Sequence, residues 1–194
     1  MHIETLKYYN HPWPYKATIF KAELQIADMD RHYYHTHHLT IARHPSENDE
    51  RMMARILIFA LHAGERLEFT KGLSAEDEPD LWQKNLSDEI ELWIELGQVD
   101  EKRLRKACGR SKQVFVYTYQ ERSAAVWWHQ NQQQFERFEN LSVVSLPDAD
   151  IKSLTKLTQR VMQLQCTIQD GVVWISNSSE SVTVEPVKVK SAAS

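Results

Sequence analysis

The seven residues Ile90-Glu91-Leu92-Trp93-Ile94-Glu95-Leu96 constrain this chain more than any other stretch. A run so rich in Leu, Ile and Trp reads as a central, buried strand. Glu95 sits inside it. An unpaired carboxylate in such a place is costly, so Glu95 needs a metal, a basic partner or hydrogen bonds. Fifteen residues earlier (95 − 80), Asp80 follows Pro79 and opens a second strand, Asp80–Lys84. This spacing sets two acids side by side on neighbouring strands, where they can hold a hard, oxygen-loving cation such as Mg²⁺ or Mn²⁺. The alternative for Glu95 is a salt bridge to a nearby arginine, and for Asp80 a carboxylate that caps a turn. The acidic run Glu76-Asp77-Glu78-Pro79-Asp80 repels itself unless solvent, a cation or a basic partner relieves it.

The pattern on either side supplies the elements such a strand needs. Thr18, Phe20, Ala22, Leu24 and Ile26 alternate with polar or flanking residues, which predicts a strand. After a turn at Ala27-Asp28-Met29-Asp30, a second strand over Tyr33–Ala42 pairs back as a hairpin. A helix starts at Ser46, whose hydroxyl can cap it, shows Met53, Leu57, Ala60 and Leu61 as an apolar stripe, and ends at Gly64. Strands follow at Arg66–Lys71, Asp80–Lys84 and Ile90–Leu96, then a helix over Asp100–Arg110 and a strand over Gln113–Tyr119. That is α-β-β-β-α-β in succession. Beyond it come a helix over Arg122–Phe138, a strand over Leu141–Leu146 and a helix after Pro147. Asp170-Gly171 joins Met162–Gln169 to Val172–Ser176 as a hairpin, and a last strand covers Val182–Val189. With no repeat and no linker, residues 17–190 form one compact domain of the α/β (α+β, mixed-sheet) class, between an irregular arm at 1–16 and a disordered tail at 191–194.

Charge and cysteine content narrow the function. A net charge of −4 argues against strong non-specific nucleic-acid binding, although a local basic patch on one face remains open. Cys108 and Cys166 form neither a disulfide framework nor a metal-ligand spacing. No apolar run reaches membrane-spanning length and no secretory signal is present, so the expected location is cytoplasmic.

Several other residues invite chemistry. Glu50 lies in the first turn of its helix, on the face of Ala54, Leu57 and Leu61 and towards the sheet; helix-dipole stabilisation is its plainer role. The element missing beside the two acids is a lysine two residues after Glu95, on the same strand face. That position is Gly97, leaving Lys106, Arg103 and Lys84 as substitutes, of which Lys106 points away from core-facing Leu104. Lys102, Arg103, Arg105, Lys106, Arg110 and Lys112 make a basic helix and exit, which suits either a phosphate-contact surface or a solvent face. In a strand, His35 and His37 share one face and His38 takes the other, with no cysteine nearby to favour structural zinc. Trp127-Trp128 read as core anchors.

These residues carry a family likeness. The blocks Ala42-Arg43-His44-Pro45-Ser46-Glu47, Glu50-Arg51-Met52-Met53, Asp77-Glu78-Pro79, Leu92-Trp93-Ile94-Glu95-Leu96-Gly97, Asn140-Leu141-Ser142-Val143 and Thr167-Ile168-Gln169-Asp170-Gly171-Val172, in this order, resemble the YaeQ family of bacterial proteins. The resemblance implies a compact variant of the PD-(D/E)XK restriction-endonuclease-like core. By it, Glu50 matches the helix acid, Pro79-Asp80 the "PD" and Glu95 the "(D/E)", with Lys106 as the migrated lysine. The implied activity is Mg²⁺- or Mn²⁺-dependent hydrolysis of DNA or RNA phosphodiesters, with Asp80 and Glu95 as metal ligands and Arg103 and Lys84 against substrate. The alternative is a non-enzymatic nucleic-acid- or protein-binding module on a degenerate nuclease fold. An arginine already neutralising the acid pair would count against hydrolysis.

Overall fold

The structure is a computed structural model that describes residues 17–71 and 77–193. The arm expected over 1–16, Glu76 of the acidic run and Ser194 lie outside the described residues. In chain order the elements are β1 (Thr18–Asp28), β2 (Tyr33–Arg43), α1 (Asp49–His62), β3 (Leu67–Phe69), β4 (Leu81–Lys84), β5 (Ile90–Leu96), α2 (Glu101–Arg110) and β6 (Ser111–Thr118). Then follow α3 (Glu121–Phe135), β7 (Leu141–Ser145), α4 (Asp148–Leu154), β8 (Val161–Gln169), β9 (Val172–Ser176), β10 (Ser181–Val184) and β11 (Val187–Lys190). The expected α-β-β-β-α-β succession runs from α1 to β6.

Two mixed sheets result. One has the order β10-β9-β8-β1-β2 and the other β11-β7-β6-β5-β4-β3. In the second, β3, β4 and β5 form an antiparallel meander. β5, β6 and β7 are parallel, and α2 and α3 supply the crossovers that parallel pairing requires. Both crossover helices cover one face, burying Trp93, Val114, Val116 and Val143 with Leu104, Trp127 and Phe135. The opposite face packs Leu92, Ile94 and Tyr117 into a larger core with α1 and the five-stranded sheet.

That placement corrects the one-stripe reading of α1. Nine consecutive residues, Met52 to Ala60, are buried, because the helix is enclosed by both sheets. Its cap is also not Ser46. Asn48 accepts a hydrogen bond from the Arg51 N–H at 2.9 Å, while the Ser46 hydroxyl lies 2.6 Å from His44 Nδ1. The helix ends at His62, two residues before Gly64, with its cap on Ala63. The last expected strand is two strands. Glu185-Pro186 interrupts it, so β10 completes the first sheet and β11 joins the second. The tail at 191–193 is anchored: the Ala192 N–H donates to Ser142 Oγ (3.1 Å) and the Ala193 N–H to the Glu139 carbonyl (2.7 Å). The Asp170-Gly171 hairpin is as expected, with both residues in the left-handed region at φ 53° and 77°. Among the described residues no helix is long and apolar enough to cross a membrane.

A polar pair lies at the end of the larger core. His62 Nε2 is 2.7 Å from Tyr117 Oη, and the His62 ring meets Phe115 edge-on with centroids 4.5 Å apart. Burial, and then the charge of Arg31, push the His62 imidazole from 6.5 down to about 3. Its folded value lies below its unfolded one, so its contribution is complete above pH 6.5 and lost as pH falls towards 3. Well inside that window the loss is about 1.4 kcal/mol per pH unit. Melting temperatures from pH 7 to pH 4 should therefore fall less steeply in His62→Gln than in the parent chain.

Candidate functional site

The β4–β5 pairing sets Asp80 beside Glu95 in the sheet. The register Leu81↔Ile94 and Trp82↔Trp93 brings Asp80 alongside the end of β5, and the Asp80 N–H donates to the Ile94 carbonyl at 3.0 Å. Both side chains are almost fully buried, with each residue 3% exposed.

Each acid is already occupied. Asp80 Oδ2 accepts the Leu96 N–H at 2.8 Å, and Oδ1 accepts Arg51 Nη2 at 2.6 Å. Arg51 reaches in from the first turn of α1, and its Nη1 donates to the Leu96 carbonyl at 2.6 Å. Glu95 faces α2 beside Trp93, whose Nε1–H donates to Glu95 Oε1 at 2.8 Å. The Asp100 cap of α2 holds the Arg103 N–H at 2.8 Å, which aims Arg103 back over β5. Arg103 Nε then donates to Glu95 Oε1 at 2.6 Å and Nη2 to Oε2 at 3.1 Å. Arg103 Nη2 also donates to the Glu78 carbonyl at 2.7 Å, tying down the end of the acidic loop.

Burial pushes the Glu95 carboxyl above the usual range, and hydrogen bonding and charge from Arg103 only partly reverse this. Asp80 adds to the upward shift, so the two acids sense each other. For Arg103, desolvation pulls downward, but the Glu95 hydrogen bond and the Glu95 and Asp80 charges outweigh it, and the guanidinium is raised.

The network continues into α1. Glu47, also buried, accepts Arg55 Nε and Nη2 in a bidentate pair, both at 2.7 Å. Arg51 Nε lies 3.8 Å from Glu47 Oε1, beyond a hydrogen bond. Three guanidiniums (Arg51, Arg55, Arg103) thus face three carboxylates (Glu47, Asp80, Glu95), and the formal charge is zero.

A divalent ion between Asp80, Glu95 and the Leu96 carbonyl does not fit this arrangement. All five oxygens already accept protein hydrogen bonds, and no added positive charge is needed. No group of three or more His, Cys, Asp or Glu suited to a metal occurs among the described residues.

The other expected site residues do not join the pair. Glu50 is half-buried, and its side chain makes no hydrogen bond or ion pair among the described residues. Lys106, the migrated-lysine candidate, pairs on the surface with Asp77, because its side of α2 turns outward. Lys84 lies over the Trp82 ring, 3.9 Å from its centroid. Arg103 is at the site, but as the partner of Glu95. Gly97, at the missing-lysine position, has φ 117°, a conformation that strains any L side chain. Arg51 Nη1 is 3.8 Å from where a Cβ there would stand, so Arg51 brings positive charge to that spot.

Arg51, Arg55 and Glu47 were not legible as site residues. The available signal was two arginines four apart, inside Arg51-Met52-Met53-Ala54-Arg55-Ile56-Leu57. Arginine within so apolar a run is buried only when paired.

Known proteins with this sequence and shape point one way. The family model described as YaeQ protein matches residues 14–186. The YaeQ protein of Escherichia coli strain K12 is 48% identical over 169 residues, which is 87% of this chain and 93% of that one. That of Salmonella typhi is 47% identical over 170 residues, covering 88% and 94%. The crystal structure of YaeQ from Xanthomonas axonopodis pv. citri superposes with a TM-score of 0.88 at 47% identity, over 92% of this chain and 99% of that one. That from Pseudomonas syringae gives 0.86 at 34% identity, over 90% and 97%. The α+β architecture, the mixed sheets and the matched length together make this chain a member of the YaeQ family.

Proposed function

We propose that this protein is a non-enzymatic binding module on a nuclease-like scaffold, in which arginines occupy the place a divalent ion would take. The observation that carries this reading is Arg51, forked between Asp80 Oδ1 and the Leu96 carbonyl at 2.6 Å each. A guanidinium there satisfies the ligands electrostatically, with no hydrolytic water. The partner is better sought among proteins than nucleic acids. Of the cations on and after α2, Arg103 pairs with Glu95, Arg105 with Glu101, Lys106 with Asp77 and Lys112 with Glu91, and Arg110 lies over the Trp93 ring, which leaves Lys102 and Arg110 as the charges on this face with no ion pair among the described residues. Among the described residues the long β2 strand is an edge of its sheet, and an edge is a place that can accept a partner strand.

The second reading is a Mg²⁺- or Mn²⁺-dependent nuclease of the PD-(D/E)XK type, acting on DNA or RNA. The convergence of Asp80 and Glu95 at the end of β5, within the α-β-β-β-α-β succession, favours it. One experiment separates the two. Calorimetric titration of the parent chain with Mg²⁺ and Mn²⁺ should give no binding heat, and single- and double-stranded DNA and RNA should stay intact in either metal. Metal-dependent cleavage that disappears in Glu95→Ala would restore the nuclease reading and end the first.

A further inference from the structure

The histidines of β2 take no part in the acid–arginine network. β2 is an edge of its sheet, and its register on β1 sets His37 opposite Leu24 and His35 opposite Ile26, on the inward face, with His38 opposite Glu23 on the other. Further along that inward face, Leu39 and Ile41 are buried in the core. Where the cover thins, Tyr33, His35 and His37 replace them.

The geometry is specific. His35 is exposed and His37 half-buried, its ring edge-on to Phe59 with centroids 5.0 Å apart. The two imidazoles are also edge-to-face, with centroids 4.7 Å apart. Tyr33 Oη is 2.8 Å from His37 Nε2. Arg31 lies over the Tyr33 ring, but Asp28 compensates its charge through a 2.6 Å pair.

Two histidines at i and i+2 on one strand face project side by side, and imidazole suits zinc, nickel and copper. We propose that His35 and His37 chelate one such divalent transition-metal ion on β2, the edge strand of the five-stranded sheet among the described residues. No third His, Cys, Asp or Glu joins them among the described residues, so water fills the remaining positions and the ion is exchangeable. With the metal on His37 Nδ1, the Nε2–H donates to Tyr33 Oη, an outer contact of the kind that fixes the orientation of a ligating imidazole. This inference is independent of the reading of Asp80 and Glu95.

The test titrates the untagged full chain with zinc, nickel and copper salts in a calorimeter and follows the histidine ring nitrogens by NMR. One ion per chain is expected, with metal-dependent shifts at His35 and His37. The His35→Ala/His37→Ala double variant should bind at least tenfold more weakly, Tyr33→Phe should weaken binding measurably, and His38→Ala should leave it unchanged. Melting without metal checks that the variants fold, and exposed His35→Ala alone decides the matter should the double variant fail. Absence of binding by the parent chain overturns the proposal. So does undiminished binding by the double variant, or an equal loss in His38→Ala.

Discussion

Arg55→Met is expected to destabilise the protein by about 3–5 kcal/mol, because it strands a carboxylate in the core. Glu47 and Arg55 are 7% and 4% exposed, and their bidentate contact is the main satisfaction either has. With Arg55 gone, the nearest remaining cation is Arg51, whose Nε stands 3.8 Å from Glu47. Drawing Arg51 inward would loosen its hold on Asp80 and Leu96, so the damage should spread to the β4–β5 end. For a chain of this length each kcal/mol lowers the melting temperature by about 2–4 °C. The paired change Glu47→Leu/Arg55→Met should recover much of the loss, since well-packed apolar residues replace buried ion pairs at little cost. Thermal and urea unfolding of the parent, the single variant and the double variant check this. A loss below about 1 kcal/mol in Arg55→Met would show that the pair is not buried as described.

Arg103→Ala should cost a similar amount, and its cost should depend on pH. The substitution leaves Glu95 in its pocket with one Trp93 N–H. Burial already raises this carboxyl, and Arg103 is what opposes the rise. Removing Arg103 lifts the folded value further above the unfolded one. The native state then holds a proton that the unfolded state has released, so stability falls as pH rises from about 4.5 to the new folded value. Arg103→Ala should therefore be less stable at pH 8 than at pH 5. Adding Glu95→Gln should flatten that dependence and restore part of the stability. Unfolding curves at the two pH values give the answer. Equal losses at both would mean that Glu95 is solvated rather than held by Arg103.

Some of this was written in local pattern. The alternation at Phe20, Ala22, Leu24 and Ile26, the Asp170-Gly171 turn and the bounds of β5 follow from period-two burial and turn chemistry, which act between near neighbours. The meeting of Asp80 and Glu95 was legible too, because a short antiparallel connection fixes which residues face each other.

What the sequence by itself determined is the set of elements, the family and the fact that Glu95 needed a partner inside an apolar strand. Only the tertiary structure decided who that partner is. Arg51 comes from a helix and lies 29 residues before Asp80, and Arg103 comes from the first turn of α2. Nothing local distinguishes them from Lys106 or Lys84. The enclosure of α1 by two sheets, and the division of the last strand at Pro186 between them, were likewise settled by long-range packing. A buried charge is neutralised by whichever group the fold delivers within hydrogen-bonding reach, and that distance is a property of the assembled sheets and helices rather than of any one segment.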